Sequence, residues 1–216
     1  IEKYYLLKKN VRIISDDFEL NADQVKAYFE KDLYDIIRVE SEGKVELISS
    51  KGLVAKGEKI NFSTKNEDIV VLGKSSSLIY NEINMFSNKQ IKVNNLSGEF
   101  NLQGKNSILK TNNIQIYGSL IDGNYTKVGE TNEIEKLYVE DENQSNIITD
   151  TSNMFAIKII YNRNENIIEL FENVKIIRGG EIITGDYARM DTLNETYKIK
   201  SNNNKKVKAL ITNTNE

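Results

Sequence analysis

Acidic side chains are the residues of this sequence best suited to chemistry. Asp16-Asp17, Asp122 and the run Glu140-Asp141-Glu142 could supply oxygen ligands for calcium, or a pair of carboxylates for hydrolysis. Their spacing matches neither an EF-hand loop nor a repeated calcium-binding loop. Because carboxylates are also favoured in turns, where they accept backbone hydrogen bonds, we interpret these residues as turn residues and expect no metal site.

The residue types that are missing narrow the possible functions further. The 216 residues include no His, Cys, Pro or Trp. Ser-His-Asp and Cys-His catalysis and ordinary zinc sites are therefore excluded. The net charge of −3, with both signs interspersed, gives no indication of nucleic-acid binding. We expect a protein that is not an enzyme and that carries no cofactor.

Residues 171–190 indicate the kind of element that positions these side chains. Val174, Ile176 and Ile183 can share one face of two short strands, because side chains alternate across a strand. Gly179-Gly180 between them supplies the positive φ angles of a tight hairpin turn. The segment therefore predicts an amphipathic β-hairpin, with Gly185-Asp186 interrupting its second strand.

Weaker copies of this hairpin occur upstream, at residues 10–29, 43–62 and 73–93. In each copy a short β-type run is followed by a polar turn, and a second run contains a small residue next to an acidic or amide residue. These pairs are Ala22-Asp23, Gly57-Glu58, Ser87-Asn88 and Gly185-Asp186. The first three are separated by about 30 to 35 residues, a spacing typical of stacked supersecondary units.

The rest of the chain continues the β pattern. We expect turns at Gly104-Lys105-Asn106 and Asp122-Gly123-Asn124, a pair of strands over residues 134–139 and 146–149, and a strand over 154–161. Together these segments predict an all-β protein of roughly fourteen to eighteen short strands.

The β pattern is less regular at the two ends of the chain and at residues 25–35. Residues 1–9 form a lead-in of uncertain structure, and residues 197–200 and 207–211 close the array around a polar turn at 201–206. Residues 25–35 could form a short helix, but the alternation of their apolar side chains favours a strand. We expect one domain over residues 1–216, whose weakest junction is at 118–130.

The repeated unit resembles the OstA-like (LptA) family of lipopolysaccharide-transport proteins. The family pattern places Asn-Val before an apolar run and Gly-Asp in the next run, followed by Ala and Asp; Asn173-Val174, Gly185-Asp186, Ala188 and Asp191 match it. The basic and apolar tail KVKALI, from Lys206, is similar to that of many members. Two departures are Glu172, where the family has Gly, and a chain longer than a typical LptA-type protein.

The resemblance implies a fold and a function. The fold is an elongated, twisted β-jellyroll, or "β-taco", of consecutive antiparallel hairpins with an apolar interior. The function is that of a carrier in the periplasm of a Gram-negative bacterium, from which a signal sequence has been removed. Such a carrier shields the lipid A acyl chains of lipopolysaccharide. Its implied partners are LptC-like and LptD-like β-jellyroll domains and other copies of itself, which stack end to end as a bridge.

Apolar residues of the repeated units are the candidates for the lipid A groove. Burying each methylene of an acyl chain contributes about 0.8 kcal/mol, so one long chain contributes on the order of 10 kcal/mol without any polar recognition. Met85, Phe62 and Met190 are the favoured contacts, because methionine and aromatic side chains adapt to irregular ligands. The alternative is that the whole set simply fills a core. The candidates are Val45, Leu47, Ile60, Phe62, Leu78, Tyr80, Ile83, Met85, Ile91, Ile176, Ile183 and Met190.

Polar and terminal segments suggest further contacts. Residues 11–14 and 207–211 are candidate sheet edges for pairing with another chain. Lys205, Lys206 and Lys208 could meet lipid phosphates, or could form a solvated charge run. Three other functions remain open: an LptC-like domain without its anchor, a purely structural β-solenoid, and a carboxylate hydrolase on a β-scaffold.

Overall fold

The computed structural model describes residues 2–31, 35–129, 131–194, 196–202 and 206–211. These residues form sixteen strands in one antiparallel sheet, which confirms the predicted all-β architecture of consecutive antiparallel strands. None of them forms a helix that could cross a membrane. The strands are β1 Lys3–Ile14, β2 Phe18–Phe29, β3 Ile36–Ser49, β4 Leu53–Ser63, β5 Asp68–Leu72, β6 Ser76–Tyr80, β7 Ile83–Ser87, β8 Gln90–Asn94, β9 Glu99–Lys110, β10 Ile114–Val128, β11 Thr131–Thr149, β12 Asn153–Asn162, β13 Ile167–Arg178, β14 Glu181–Asp191, β15 Thr196–Lys200 and β16 Lys208–Ile211.

Most long strands change register near their middle, so each is divided into two halves. The shift between β1 and β2 lies between Lys8 and Val11, and that between β13 and β14 lies between Phe171 and Val174. At the centre of the sheet the two halves are separate strands: β4 pairs with β5 through one half and with β6 through the other. β9 likewise pairs with both β8 and β7.

The repeated sequence motif forms these register shifts. Two residues with positive φ on one strand lie opposite a single acidic residue on the next: Glu172-Asn173 (φ 63° and 53°) opposite Asp186, and Gly43-Lys44 (φ 81° and 44°) opposite Glu58. Two residues opposing one is a β-bulge, which bends and twists a strand. Gly185-Asp186 is therefore a structural corner in the middle of a strand.

The bulges fold the sheet into two arms. Arm 1 holds the strand halves next to the turns at 15–17, 50–52, 81–82, 111–113, 150–152 and 179–180. Arm 2 holds the other halves and the described parts of the turns at 30–35, 64–67, 95–98, 129–130, 163–166 and 192–195. Along most of the strands between the two edges of the sheet, every second side chain is buried on the inner face. These side chains form one buried cluster that extends from Val11 to Met190, since only a sheet folded over itself can cover its own inner face.

The hairpin at residues 171–190 forms as predicted. Arg178 pairs with Glu181 and Ile176 lies opposite Ile183, so the turn consists of Gly179-Gly180. Gly179 has a φ of 54°, a conformation that glycine adopts without steric strain. Residues 25–29 lie in β2, in agreement with the expected strand, whereas residues 32–34 lie outside the described part of the chain.

Three sequence expectations were wrong in detail. Gly104-Lys105-Asn106 and Asp122-Gly123-Asn124 lie inside β9 and β10 and are not turns between strands. Residues 134–139 and 146–149 belong to one strand, β11, whose acidic run Glu140-Asp141-Glu142 lies at a register shift. Glycine, amide and acidic residues are typical of turns, but here they also occur within strands: at the corners around Gly104 and Glu140, and at Gly123, where the neighbouring strands leave no room for a Cβ atom.

Strands at both chain ends complete the sheet. Residues 3–9, whose structure the sequence left uncertain, are the first part of the edge strand β1. The closing strands β15 and β16 do not pair with each other. β15 pairs with the arm 2 half of β14, and β16 pairs with its arm 1 half. They therefore continue the division of the sheet into two arms.

Candidate functional site

The two rows of turns at the tips of the arms face each other across a slit that leads to the apolar interior. Several side-chain contacts cross this slit. The rings of Phe18 in arm 1 and Phe62 in arm 2 meet edge to face, with centroids 4.8 Å apart. The Tyr80 and Tyr125 rings approach to 6.2 Å, and the Tyr197 hydroxyl donates to Glu181 Oε2 at 2.9 Å. The slit is thus closed by side chains, which can separate without loss of strand pairing.

An apolar mouth opens at the N-terminal part of the slit, with a cavity of about 270 Å³. Its wall contains three of the residues predicted to contact lipid, namely Leu47, Phe62 and Tyr80. Phe18, Leu53 and Ile69 complete the apolar wall. The mouth therefore connects solvent with the inner faces of both arms.

A polar network closes the outer side of this mouth. Lys51 Nζ in the β3–β4 turn donates to Glu67 Oε1 in the β4–β5 turn at 3.0 Å. Asn95 Nδ2 donates to Glu67 Oε2 at 2.6 Å, and the Tyr125 hydroxyl donates to Asn95 Oδ1 at 3.2 Å. The hydrogen bonds from Asn95 and Lys51 lower the pKa of Glu67, and burial raises the pKa of Tyr125 to about 12.

A second and larger opening, the polar cleft, lies in the C-terminal part of the slit, between the Tyr80–Tyr125 and Tyr197–Glu181 contacts. Its volume is about 720 Å³. Its walls combine apolar side chains that face the interior with threonine, asparagine and charged side chains at the rim. Ile134 and Tyr161 belong to the apolar part, and burial raises the pKa of the Tyr161 phenol.

The twelve predicted lipid-contact residues all face the interior or its openings, on both arms. Tyr80 and Ile183 are half-buried, and the other ten are buried. Met85 is 1% exposed, Met190 6% and Phe62 7%, and all three belong to the continuous core cluster. The twelve residues therefore stay a proposed acyl-chain surface, and an acyl chain could reach most of them only if the arms separate.

The acidic candidates are not brought together, and among them Asp17 lies at the rim of the apolar mouth. Asp122 is half-buried on β10 and accepts a hydrogen bond of 2.5 Å from Asn101 Nδ2. Asp141 accepts hydrogen bonds from the backbone N–H groups of Asn143 and Gln144. Asp16-Asp17 is an exposed turn of arm 1. Among the described residues there is no group of three or more acidic side chains that could hold a metal ion.

The edges of the sheet coincide with the predicted terminal segments. Residues 11–14 belong to the edge strand β1, which pairs with β2 along one side, and β16 is the terminal strand of arm 1 at the opposite end. Lys206 and Lys208 are exposed beside this edge, whereas Lys205 lies outside the described residues.

Several residues of the openings were missed at the level of sequence. Tyr125 and Asn132 are far from the repeated motif in sequence, and Lys51 and Glu67 looked like ordinary turn residues. One feature of the sequence could have indicated Tyr125: it is an aromatic residue towards the end of a β-type run, at a position that alternates with the inward-facing residues. Which turns of the two arms face each other follows only from the fold.

Comparison with known proteins finds similarity at the level of structure only. No family model matches the chain, and no curated protein matches it significantly. A similar solved structure is LptH of Pseudomonas aeruginosa, the LptA-homologous periplasmic component of the lipopolysaccharide transport device. The match has a TM-score of 0.49 and 12% identity, and it covers 60% of this chain and 94% of LptH.

Proposed function

We propose that this protein is a periplasmic carrier that shields the lipid A acyl chains of lipopolysaccharide between the two arms of its folded sheet. The observation that carries the proposal is a continuous apolar interior that opens through a slit, across which aromatic rings and a lysine–glutamate pair meet. Its partners would be the LptC-like and LptD-like domains expected from the motif resemblance, and the carrier would bridge the two membranes.

The apolar mouth is the proposed entry point for an acyl chain. Opening it separates Phe18 from Phe62 and Lys51 from Glu67, while the backbone pairing within each arm is kept. The Lys51–Glu67 pair is exposed at the lysine and partly exposed at the glutamate, so breaking it costs about 1 kcal/mol or less. An inserted chain gains about 0.8 kcal/mol for each buried methylene, which outweighs that cost after a few carbons.

Photo-crosslinking tests where the lipid binds. A photoreactive residue at Phe62 or Met85 is expected to capture lipopolysaccharide, because both side chains face the interior. The matched control is Glu46, which lies between the inward-facing Val45 and Leu47 and pairs with Lys56 on the outer surface at 2.6 Å. Capture at Glu46 with no capture at Phe62 or Met85 would contradict the proposal.

One observation favours a second function, that of a structural β-scaffold with a sealed interior. Ten of the twelve proposed contacts are buried in the core cluster, and several, such as Ile60 and Leu78, are 0% exposed. A sealed scaffold predicts no capture at any interior position, with photoreactive variants that remain folded by circular dichroism. The same crosslinking experiment therefore separates the two functions.

A further inference from the structure

The polar cleft differs from the apolar mouth in the chemistry of its rim. Hydroxyl and amide residues from both arms surround it, among them Thr111, Asn113, Thr131, Asn132, Thr149 and Thr151. Its volume of about 720 Å³ lies within the range of small-molecule sites, roughly 300–1,000 Å³. The cleft can therefore accept a ligand that forms many hydrogen bonds.

Asn132 is the clearest sign of a missing ligand in the cleft. It lies near the tip of arm 2, two residues before Ile134 on the same inner face of β11, and it is 9% exposed. Its Nδ2 atom is buried and has no hydrogen-bond partner within the described part of the chain. Because an unpaired buried donor is destabilising, a ligand oxygen that accepts a hydrogen bond from Nδ2 would be bound favourably.

The charges of the cleft indicate which ligand oxygen is favoured. Glu82 and Asp150 are exposed acidic residues on the arm 1 side. The Arg163 guanidinium on the arm 2 side is already ion-paired with Glu133. An anionic group such as a phosphate would therefore meet net negative charge, whereas neutral hydroxyl groups could both donate to the carboxylates and accept from Asn132.

The apolar part of the cleft narrows the ligand class further. Ile114, Ile134, Tyr161 and Ile168 line the side that faces the interior. A sugar ring combines an apolar C–H face, which can lie against such side chains, with hydroxyl groups at its edge. We infer that the polar cleft binds a neutral saccharide, with Asn132 Nδ2 as a donor to a sugar oxygen.

The sugar could be free or could be the headgroup of the amphiphile that enters the interior. The second source rests on the proposed function. Three neutral probes distinguish the sources: maltose, dodecyl maltoside, and a dodecyl octaethylene glycol ether that has the same alkyl chain but no sugar. Binding to the ¹⁵N-labelled protein is followed by nuclear magnetic resonance, below the micelle concentration of each amphiphile.

The expected result is a shift of the Asn132 side-chain amide signals with maltose and dodecyl maltoside, and none with the glycol ether. Asn132→Leu should weaken both sugar ligands about three- to tenfold, the equivalent of one lost hydrogen bond, and leave glycol ether affinity unchanged. Because leucine removes an unpaired buried group, the variant should fold. Thr151→Val, at an exposed rim position, is a second variant expected to weaken sugar binding.

The outcomes separate this inference from the proposed function. Equal binding of dodecyl maltoside and the glycol ether, with no effect of Asn132→Leu, would overturn the saccharide site and leave the acyl-chain interior intact. Equal binding of maltose and dodecyl maltoside, with loss in Asn132→Leu, would support the saccharide site and contradict a contribution of the alkyl chain. Absence of sugar binding would overturn the inference.

Discussion

Each residue of the repeated motif has a physical role at a corner of the folded sheet. The Asn-Val step places a left-handed residue at the bulge and an inward-facing valine after it, as at Asn173-Val174. The small residue of the next strand avoids a collision where the backbones come close. The acidic residue lies opposite the bulge, as Glu58 does at Gly43-Lys44. On the other side, Asp23 of the preceding strand is so close that a Cβ atom on Gly43 would lie only 2.2 Å from its Oδ2. The motif thus specifies where the sheet bends.

Glu172 is the position where this chain departs from the motif, and its conformation shows a cost. It has a φ of 63°, in the left-handed region that L-residues with a Cβ atom avoid. Glu172→Gly is expected to raise the free energy of unfolding by about 1 kcal/mol, since the relief of strain exceeds the added chain entropy of glycine. Urea unfolding followed by circular dichroism measures the change.

The control for this substitution is Lys175→Gly, three residues along the same strand and without a positive φ. There glycine only adds chain entropy and removes a side chain, so stability should fall by about 0.5–1 kcal/mol. If both substitutions lower stability equally, the corner does not strain Glu172.

At the scale of elements, the β3–β4 and β4–β5 turns are joined across the slit by Lys51 and Glu67. Glu67→Gln removes the charge but keeps an oxygen that can accept from Asn95. At pH 7 the variant should be less stable by about 1 kcal/mol or less. The pKa of Glu67 is lowered in the folded protein, so its contribution is present above the unfolded pKa of about 4.3 and disappears as the pH falls below it.

Hydrogen exchange separates opening of the slit from a general loss of stability. In Glu67→Gln the amides of Gly52 and Leu53, which bond to Ser49 in the β3–β4 turn, should exchange faster at pH 7. Glu42→Gln is the matched control, because the Glu42–Lys59 pair joins neighbouring strands of one arm at 2.8 Å. Equal acceleration in both variants would show that the Lys51–Glu67 pair does not hold the slit.

The sequence predicted the strands of this fold better than it predicted their connections. Alternating apolar residues and the Gly179-Gly180 turn were sufficient for the hairpin at residues 171–190. The corner at Gly104 and the strand residues around Gly123 were taken for turns, because local composition does not distinguish a chain that continues or bends within a strand from one that reverses. The polar cleft was missed for a related reason: Asn132 and Thr111 come together only when the two arms are folded.

At the scale of the whole molecule, each end of the sheet offers two edge segments, one in each arm. At the first end these are the two halves of β1, and at the other end they are β15 in arm 2 and β16 in arm 1. Tyr4, Leu6 and Ile14 are exposed at one end, and Leu210 and Ile211 at the other. End-to-end pairing of two copies would therefore place arm 1 next to arm 1 and make the interior continuous.

Charge opposes this pairing, because both ends are basic. Lys3, Lys8 and Lys9 are exposed on β1, and Lys198, Lys200, Lys206 and Lys208 are exposed at the other end. Like charges repel over about 10 Å at 0.1 M salt, and added salt screens them. Sedimentation velocity should therefore show stronger self-association at 0.5 M than at 0.05 M sodium chloride. A heterologous end-to-end contact would extend into chains rather than stop at dimers.

Two variants test whether the self-association measured at high salt uses the edge strand β1. Ile14→Lys adds a charge to an exposed apolar position on the edge strand and should abolish the association at high salt. Ile48→Lys makes the same change on β3, within the sheet, at a side chain that is 40% exposed, and should leave it unchanged. Association that weakens as salt is added would contradict pairing through the basic edges. Equal sensitivity of the association to both variants would contradict it as well.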